Sequence, residues 1–165
     1  MVFCGTICSL RTHNAAWYTR HQPRCEGAIG YTDCFREECR DDADGILVCT
    51  VDIFEPCLLL YPLTEWELIE KKLRSFSRMD PQERRIQRVL LGHAAECELD
   101  GQGRVLLPST LRQHAGLEKK IMLVGQLNKF EIWDATRWQQ QINDDLQALP
   151  HEDWGSSARL RDFGL

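Results

Sequence analysis

The sequence predicts an α+β fold in which two β-rich copies of one small strand–helix unit interlock into a single barrel, with connecting helices between and after them. Three observations carry this expectation. Short apolar or alternating runs recur between residues 46 and 133, each bounded by Gly, Pro, Asn or Asp. Two helix-start signals stand between the two sets of runs. Finally, Leu60-Tyr61-Pro62-Leu63-Thr64-Glu65-Trp66 matches Ile132-Trp133-Asp134-Ala135-Thr136-Arg137-Trp138 in role, as strand end, cap region and helix-facing Trp. One such unit is too small to bury its own apolar face, so two are expected to share a core.

Taken in order, residues 46–53 are β-branched and apolar, and Leu58-Leu59-Leu60-Tyr61 follows a Glu55-Pro56 turn, giving two strands. Thr64-x-x-Glu67 has the form of a capping box opening a helix through Trp66, Ile69 and Leu73. Asp80-Pro81-x-Glu83 opens a second helix through Ile86, Val89 and Leu90, with Asp as cap and Pro at the first helical position. Ala95, Cys97 and Leu99 then alternate with Glu96 and Glu98 as a half-buried strand, and a polar turn leads into a strand over 104–107. Pro108 stops that strand, Ser109 is placed to cap a short helix through Leu111 and Arg112, and Gly116 to end it. Residues 121–124 and 130–133 form another strand pair around Leu127-Asn128-Lys129, after which Asp134 caps a helix carrying Trp138, Ile142 and Leu146. The first 33 residues show no clear periodicity and are expected to be irregular.

Composition narrows the function classes. With 165 residues and 43% hydrophobic content the chain is globular. It carries neither an apolar run of roughly 18 residues nor a charged segment followed by an apolar one, so a cytoplasmic location is expected. Eight cysteines without a Cys-x-x-Cys pair, in a chain lacking a secretory signal, are expected to be reduced, with Cys49, Cys57 and Cys97 as small buried hydrophobes. His93 and Cys97 are four apart, but no second ligand pair accompanies them, and neither metal nor cofactor is expected. No nucleophile has an adjacent base and no Walker-type glycine loop is present, so an enzyme is not expected.

Net charge is −5, yet residues 70–89 hold seven basic residues (Lys71, Lys72, Arg74, Arg78, Arg84, Arg85, Arg88) against three acidic ones. The C-terminal segment is the reverse, with Asp144, Asp145, Glu152, Asp153 and Asp162 against Arg159 and Arg161. A basic face on an acidic protein fits DNA contact, and a solvated helix face fits equally well.

The turn Asp100-Gly101-Gln102-Gly103-Arg104 carries the clearest binding chemistry. Asp100 can accept hydrogen bonds from following backbone N–H groups and fix the tip. Gly101 and Gly103 allow positive φ and close approach to a phosphate, and Arg104 supplies a charged bidentate fork suited to phosphate or a guanine edge. From these residues alone, an ordinary hairpin with a surface arginine stays open. Arg112 and His114 are expected on a solvated face of the short helix.

The chain resembles the MraZ family of bacterial transcriptional regulators, built from two SpoVT-AbrB repeats. The resemblance runs from about residue 35 to 145, through Cys57-Leu58-Leu59-Leu60-Tyr61-Pro62-Leu63, Glu83-Arg84-Arg85, Leu91-Gly92-His93-Ala94, the turn at 100–104, Leu111-Arg112-Gln113-His114-Ala115-Gly116-Leu117 and Leu123-Val124-Gly125-Gln126. It implies a swapped-hairpin barrel, a homo-oligomeric ring, no enzymatic activity, and repression through double-stranded DNA at tandem repeats in the promoter of the division and cell-wall gene cluster. The DNA-binding residues it implies are Gly101, Gln102, Gly103 and Arg104, organised by Asp100, in a nucleoid-associated protein. Two other readings remain: a ring-forming interaction protein with impaired DNA binding, and an AbrB-type antitoxin, a class usually built from single-repeat dimers. The implied organisation is an extension at 1–17, a first repeat at 18–65, a helical connector at 66–93, a second repeat at 94–137, and a C-terminal helix with an acidic tail at 138–165.

One departure stands out. Where the family has a first Asp-x-x-Gly-Arg tip, this chain has Arg24-Cys25-Glu26-Gly27-Ala28. Reading the possible codons of residues 24–33 one base later permits Asp, Ala, Lys, Gly, Arg, Leu, Ala, Ile, Pro, Thr in order, a family-type tip and its strand. The ordinary frame matches again from Cys34. The expectation is that residues up to about Asp33 come from a shifted frame, so that the first repeat lacks a strand and its DNA tip.

Overall fold

A computed structural model describes residues 46–98, 104–126 and 128–151, together with the backbone of 18–21 and 28–30. The chain divides into two compact units, Met1–Ala135 and Thr136–Leu165.

The first unit is mixed α and β, as predicted. Its strands are β1 (Tyr18–His21), β2 (Ala28–Gly30), β3 (Ile46–Val51), β4 (Leu58–Pro62), β5 (Ala95–Glu98), β6 (Arg104–Leu106), β7 (Ile121–Gln126) and β8 (Lys129–Asp134). Six of them form an antiparallel sheet in the order β1-β7-β8-β4-β3-β5, and β2 pairs with β6 as a separate two-stranded ribbon. The expected barrel is not closed by hydrogen bonding among the described residues. The repeat is visible in the sheet: hairpin β3–β4 of the first copy joins hairpin β7–β8 of the second through β4 and β8, with Leu58 opposite Ile132 and Leu60 opposite Phe130.

Two short strands interrupt the segment expected to be irregular. β1 pairs with β7 (Tyr18 opposite Val124), and β2 with β6 (Ala28 opposite Leu106). A ladder is made by backbone N–H and C=O groups, so an open strand edge can recruit a segment whose side chains give no strand signal. Residues 18–21 and 28–30 thus pair as backbone strands, while the expected loss of the tip residues lies outside the described residues.

Alternation explains the core. Leu47, Cys49 and Val51 of β3, Leu58 and Leu60 of β4, Ile121 and Leu123 of β7, and Phe130 and Ile132 of β8 share one face with Cys97, Val105 and Leu107. The opposite face is buried too, through Val48, Thr50, Leu59, Tyr61, Met122 and Trp133.

Helix α1 (Leu63–Arg74) follows β4 directly and α2 (Pro81–Gly92) follows it. Trp66 of α1 lies against Tyr61, with ring centroids 6.0 Å apart. The predicted capping box at Thr64 is not used. The cap is Pro62, with no side-chain bond, because the chain passes from strand to helix without a loop. Asp80 caps α2 as predicted, its Oδ1 accepting from Gln82 N at 2.7 Å and Glu83 N at 3.2 Å, with Pro81 at the first helical position. Gln87 Nε2 donates to Leu73 O at 2.5 Å and ties α2 to the end of α1.

Short helix α3 (Ser109–His114) begins after Pro108, so Ser109 is its first residue rather than its cap. It ends as predicted at Gly116, whose φ of 61° is the left-handed conformation glycine favours. Leu117 N donates to Arg112 O at 2.9 Å and Gly116 N to Gln113 O at 3.1 Å, the paired bonds of a Schellman ending, and Leu117 packs on the core. Helix α4 (Ala135–Ala148) follows β8 as α1 follows β4, and a 3-10 turn, Leu149–His151, ends the described chain.

Candidate nucleic-acid interface

The turn residues Asp100, Gly101, Gln102 and Gly103 lie outside the described residues, but both strands that hold the turn are described. Arg104 is the first residue of β6. The next residue, Val105, is fully buried and Leu107 is 2% exposed, whereas Leu106 is 68% exposed. Strand alternation therefore turns Arg104 to the outer face with Leu106, on a strand pinned through its inner residues. Opposite Arg104 stands Gly30, and Arg104 itself is half-buried. A cation fixed at the base of a glycine-rich turn can offer its planar fork to an anion at modest entropic cost. On the other side of the turn, β5 pairs with β3 through Leu47 opposite Cys97, and Cys97 is buried.

His114 is exposed as expected, but it meets His93, with ring centroids 5.6 Å apart. His93 is the C-cap of α2, and its Nδ1 lies 2.8 Å from the Val89 carbonyl. The helix therefore stops before Cys97, which belongs to β5, and the spacing of four is not a helical turn. Arg112 departs from the expected solvated face: it is half-buried, and its Nε has no hydrogen-bond partner. The stem of an arginine sinks along apolar surface where Leu111 and Ala115 enter the core, which residue type alone does not reveal.

Cys49, Cys57 and Cys97 are free and buried, and loss of solvation raises all three thiols, Cys49 and Cys57 far above the ordinary range. Among the described residues no group of three or more His, Cys, Asp or Glu is placed to hold a metal ion. No helix there is long and apolar enough to cross a membrane.

Against known families, the model described as "MraZ protein, putative antitoxin-like" matches twice, over residues 35–89 and 90–161. The chain belongs to the MraZ family. It is 67% identical to the transcriptional regulator MraZ of Tolumonas auensis over 135 residues, covering 82% of this chain and 86% of that one. It is 53% identical to the same-named protein of Yersinia pseudotuberculosis and 54% to that of Escherichia coli K12, each over 140 residues, 85% of this chain and 92% of theirs. MraZ proteins are thus a class of transcriptional regulators rather than enzymes, and the two family matches fall on the two copies seen in the sheet. The first match begins at residue 35.

Proposed function

We propose that this MraZ-family protein is a sequence-specific DNA-binding repressor. Its target in this reading is the set of tandem repeats in the promoter of the division and cell-wall gene cluster, engaged as a homo-oligomeric ring in the cytoplasm at the nucleoid. Arg104, with Gly101, Gln102 and Gly103 on a turn organised by Asp100, makes the contact. The observation that carries this reading is the outward placement of Arg104 on a strand whose next residue, Val105, is fully buried. A single tip touches few phosphates and binds weakly and with steep salt dependence. Several tips on one ring meeting tandem sites raise the effective concentration of each later contact and convert weak contacts into a stable complex.

One sequence feature favours a second reading, a ring-forming interaction protein with impaired DNA binding: Arg24-Cys25-Glu26-Gly27-Ala28 lacks the Asp and Arg of a first tip. A gel shift on tandem promoter repeats at two salt concentrations separates the two. A salt-sensitive shift by the chain as written supports the repressor. A shift only by a version with the reading frame restored over residues 24–33 supports the interaction protein, and no shift by either contradicts the repressor.

A further inference from the structure

Seven basic side chains fall on α1, α2 and the link between them, and all are exposed. Arg74 pairs with Glu70 at 2.8 Å. Lys71, Lys72, Arg78, Arg84, Arg85 and Arg88 make no ion pair among the described residues. Lys71, Lys72 and Arg74 occupy the last turn of α1, where the negative end of the helix dipole favours them. The arginines of α2 have no such reason to be where they are. Arg84 and Arg85 are the fourth and fifth residues of a helix that opens at Pro81, toward its positive end, while its last turn holds no cation. Arg88 follows Arg84 by four positions and Arg85 by three, so three guanidinium groups are neighbours on one face. Like charges at these spacings destabilise a helix. The face turned to the sheet is a different one, with Ile86, Val89 and Leu90 half-buried and the Leu90 carbonyl held by Thr50.

We propose that Arg84, Arg85 and Arg88 form a second nucleic-acid contact, gripping the phosphate backbone and adding affinity without reading sequence. The proposal rests on the DNA-binding reading above and extends it to a surface remote in type from the glycine-rich turn. A polyanion is the occupant that fits. The guanidinium fork matches phosphate oxygens bidentately, and bound negative charge turns the like-charge row from a cost into a gain. The net charge of −5 makes this concentration of unpaired cations a local feature rather than a general coat. Helix α2 also leads, through His93 and Ala94, into β5, the strand that carries the chain to the turn.

The test is fluorescence anisotropy with the full chain and two labelled duplexes of equal length, one carrying the tandem promoter repeats and one scrambled, across 50–200 mM salt. Each phosphate contact contributes about 0.9 to the slope of log affinity against log salt, so Arg84→Gln/Arg85→Gln/Arg88→Gln lowers it by about 2.7 on both duplexes. Over that salt range the parent then loses about 40-fold more affinity than the variant. Arg88→Gln alone lowers the slope by about 0.9, which guards against a folding effect of the triple change. Unchanged slopes with intact parent binding overturn the second contact and leave the repressor reading standing. A fall on the promoter duplex alone also overturns it, because the row would then be reading sequence. Absence of parent binding to either duplex overturns both.

Discussion

The Oγ1 of Thr50 donates to the backbone carbonyl of Leu90 at 2.8 Å, joining strand β3 to helix α2 across forty positions of sequence. Thr50 is fully buried, and the carbonyl it satisfies lies in the last turn of the helix, where no N–H of a further helical turn follows to donate to it. Thr50→Val keeps the shape and the strand preference but removes the donor. The expected outcome is a loss of about 1 kcal/mol in urea unfolding with an unchanged m-value. An unchanged midpoint would show that this bond does not hold α2 to the sheet.

Glu131 is a buried acid, 8% exposed, that accepts from the Trp133 indole Nε1 at 3.0 Å and lies 3.5 Å from Lys129 Nζ. Glu131→Ala removes the indole's acceptor and is expected to cost about 1–3 kcal/mol. Glu131→Gln keeps an oxygen at that place and recovers most of the loss. Equal destabilisation by both variants, measured by urea unfolding, would assign the effect to charge rather than to the indole bond.

Gly116 ends α3 at φ 61°, so Gly116→Ala is expected to destabilise the protein by about 1 kcal/mol. Thermal unfolding measures this, and an unchanged midpoint would mean the chain reaches Leu117 by another route.

Burial raises the Cys49 and Cys57 thiols far above the ordinary thiol value of 9.0 and pushes the Tyr61 phenol up to about 12. The unfolded chain therefore loses these protons first, and the folded state binds more of them. Stability is fully present below about pH 9 and falls as pH rises from the unfolded values toward the folded ones. Urea midpoints at pH 7, 8, 9 and 10 are expected to hold and then decline, and Cys49→Ala/Cys57→Ala is expected to flatten the decline from its own starting level. A parallel decline in the variant would remove the thiols from the account.

The sequence carried the elements whose cause is local. Asp80-Pro81 opened α2 and Gly116 closed α3 because cap chemistry needs only neighbouring residues. Thr64 and Ser109 misplaced two helix starts because each helix leaves a strand through a proline, at Pro62 and Pro108, without a side-chain cap. The pairing of β1 with β7 and β2 with β6 had no side-chain signal at all, since backbone groups alone make a ladder. The strand that opens at Arg104 was legible, because a glycine-rich turn precedes it and Pro108 stops it. The half-burial of Arg112 was not, because it depends on how deeply Leu111 and Ala115 seat α3 in the core.

The central claim is that Arg104 delivers DNA binding while leaving the assembly intact. Anisotropy of the full chain and of Arg104→Ala on a duplex carrying the tandem promoter repeats, with particle size measured by light scattering on the same samples, tests it most directly. The expected result is loss of repeat-specific binding by Arg104→Ala at unchanged particle size. Equal affinity of parent and variant for the repeats would contradict it.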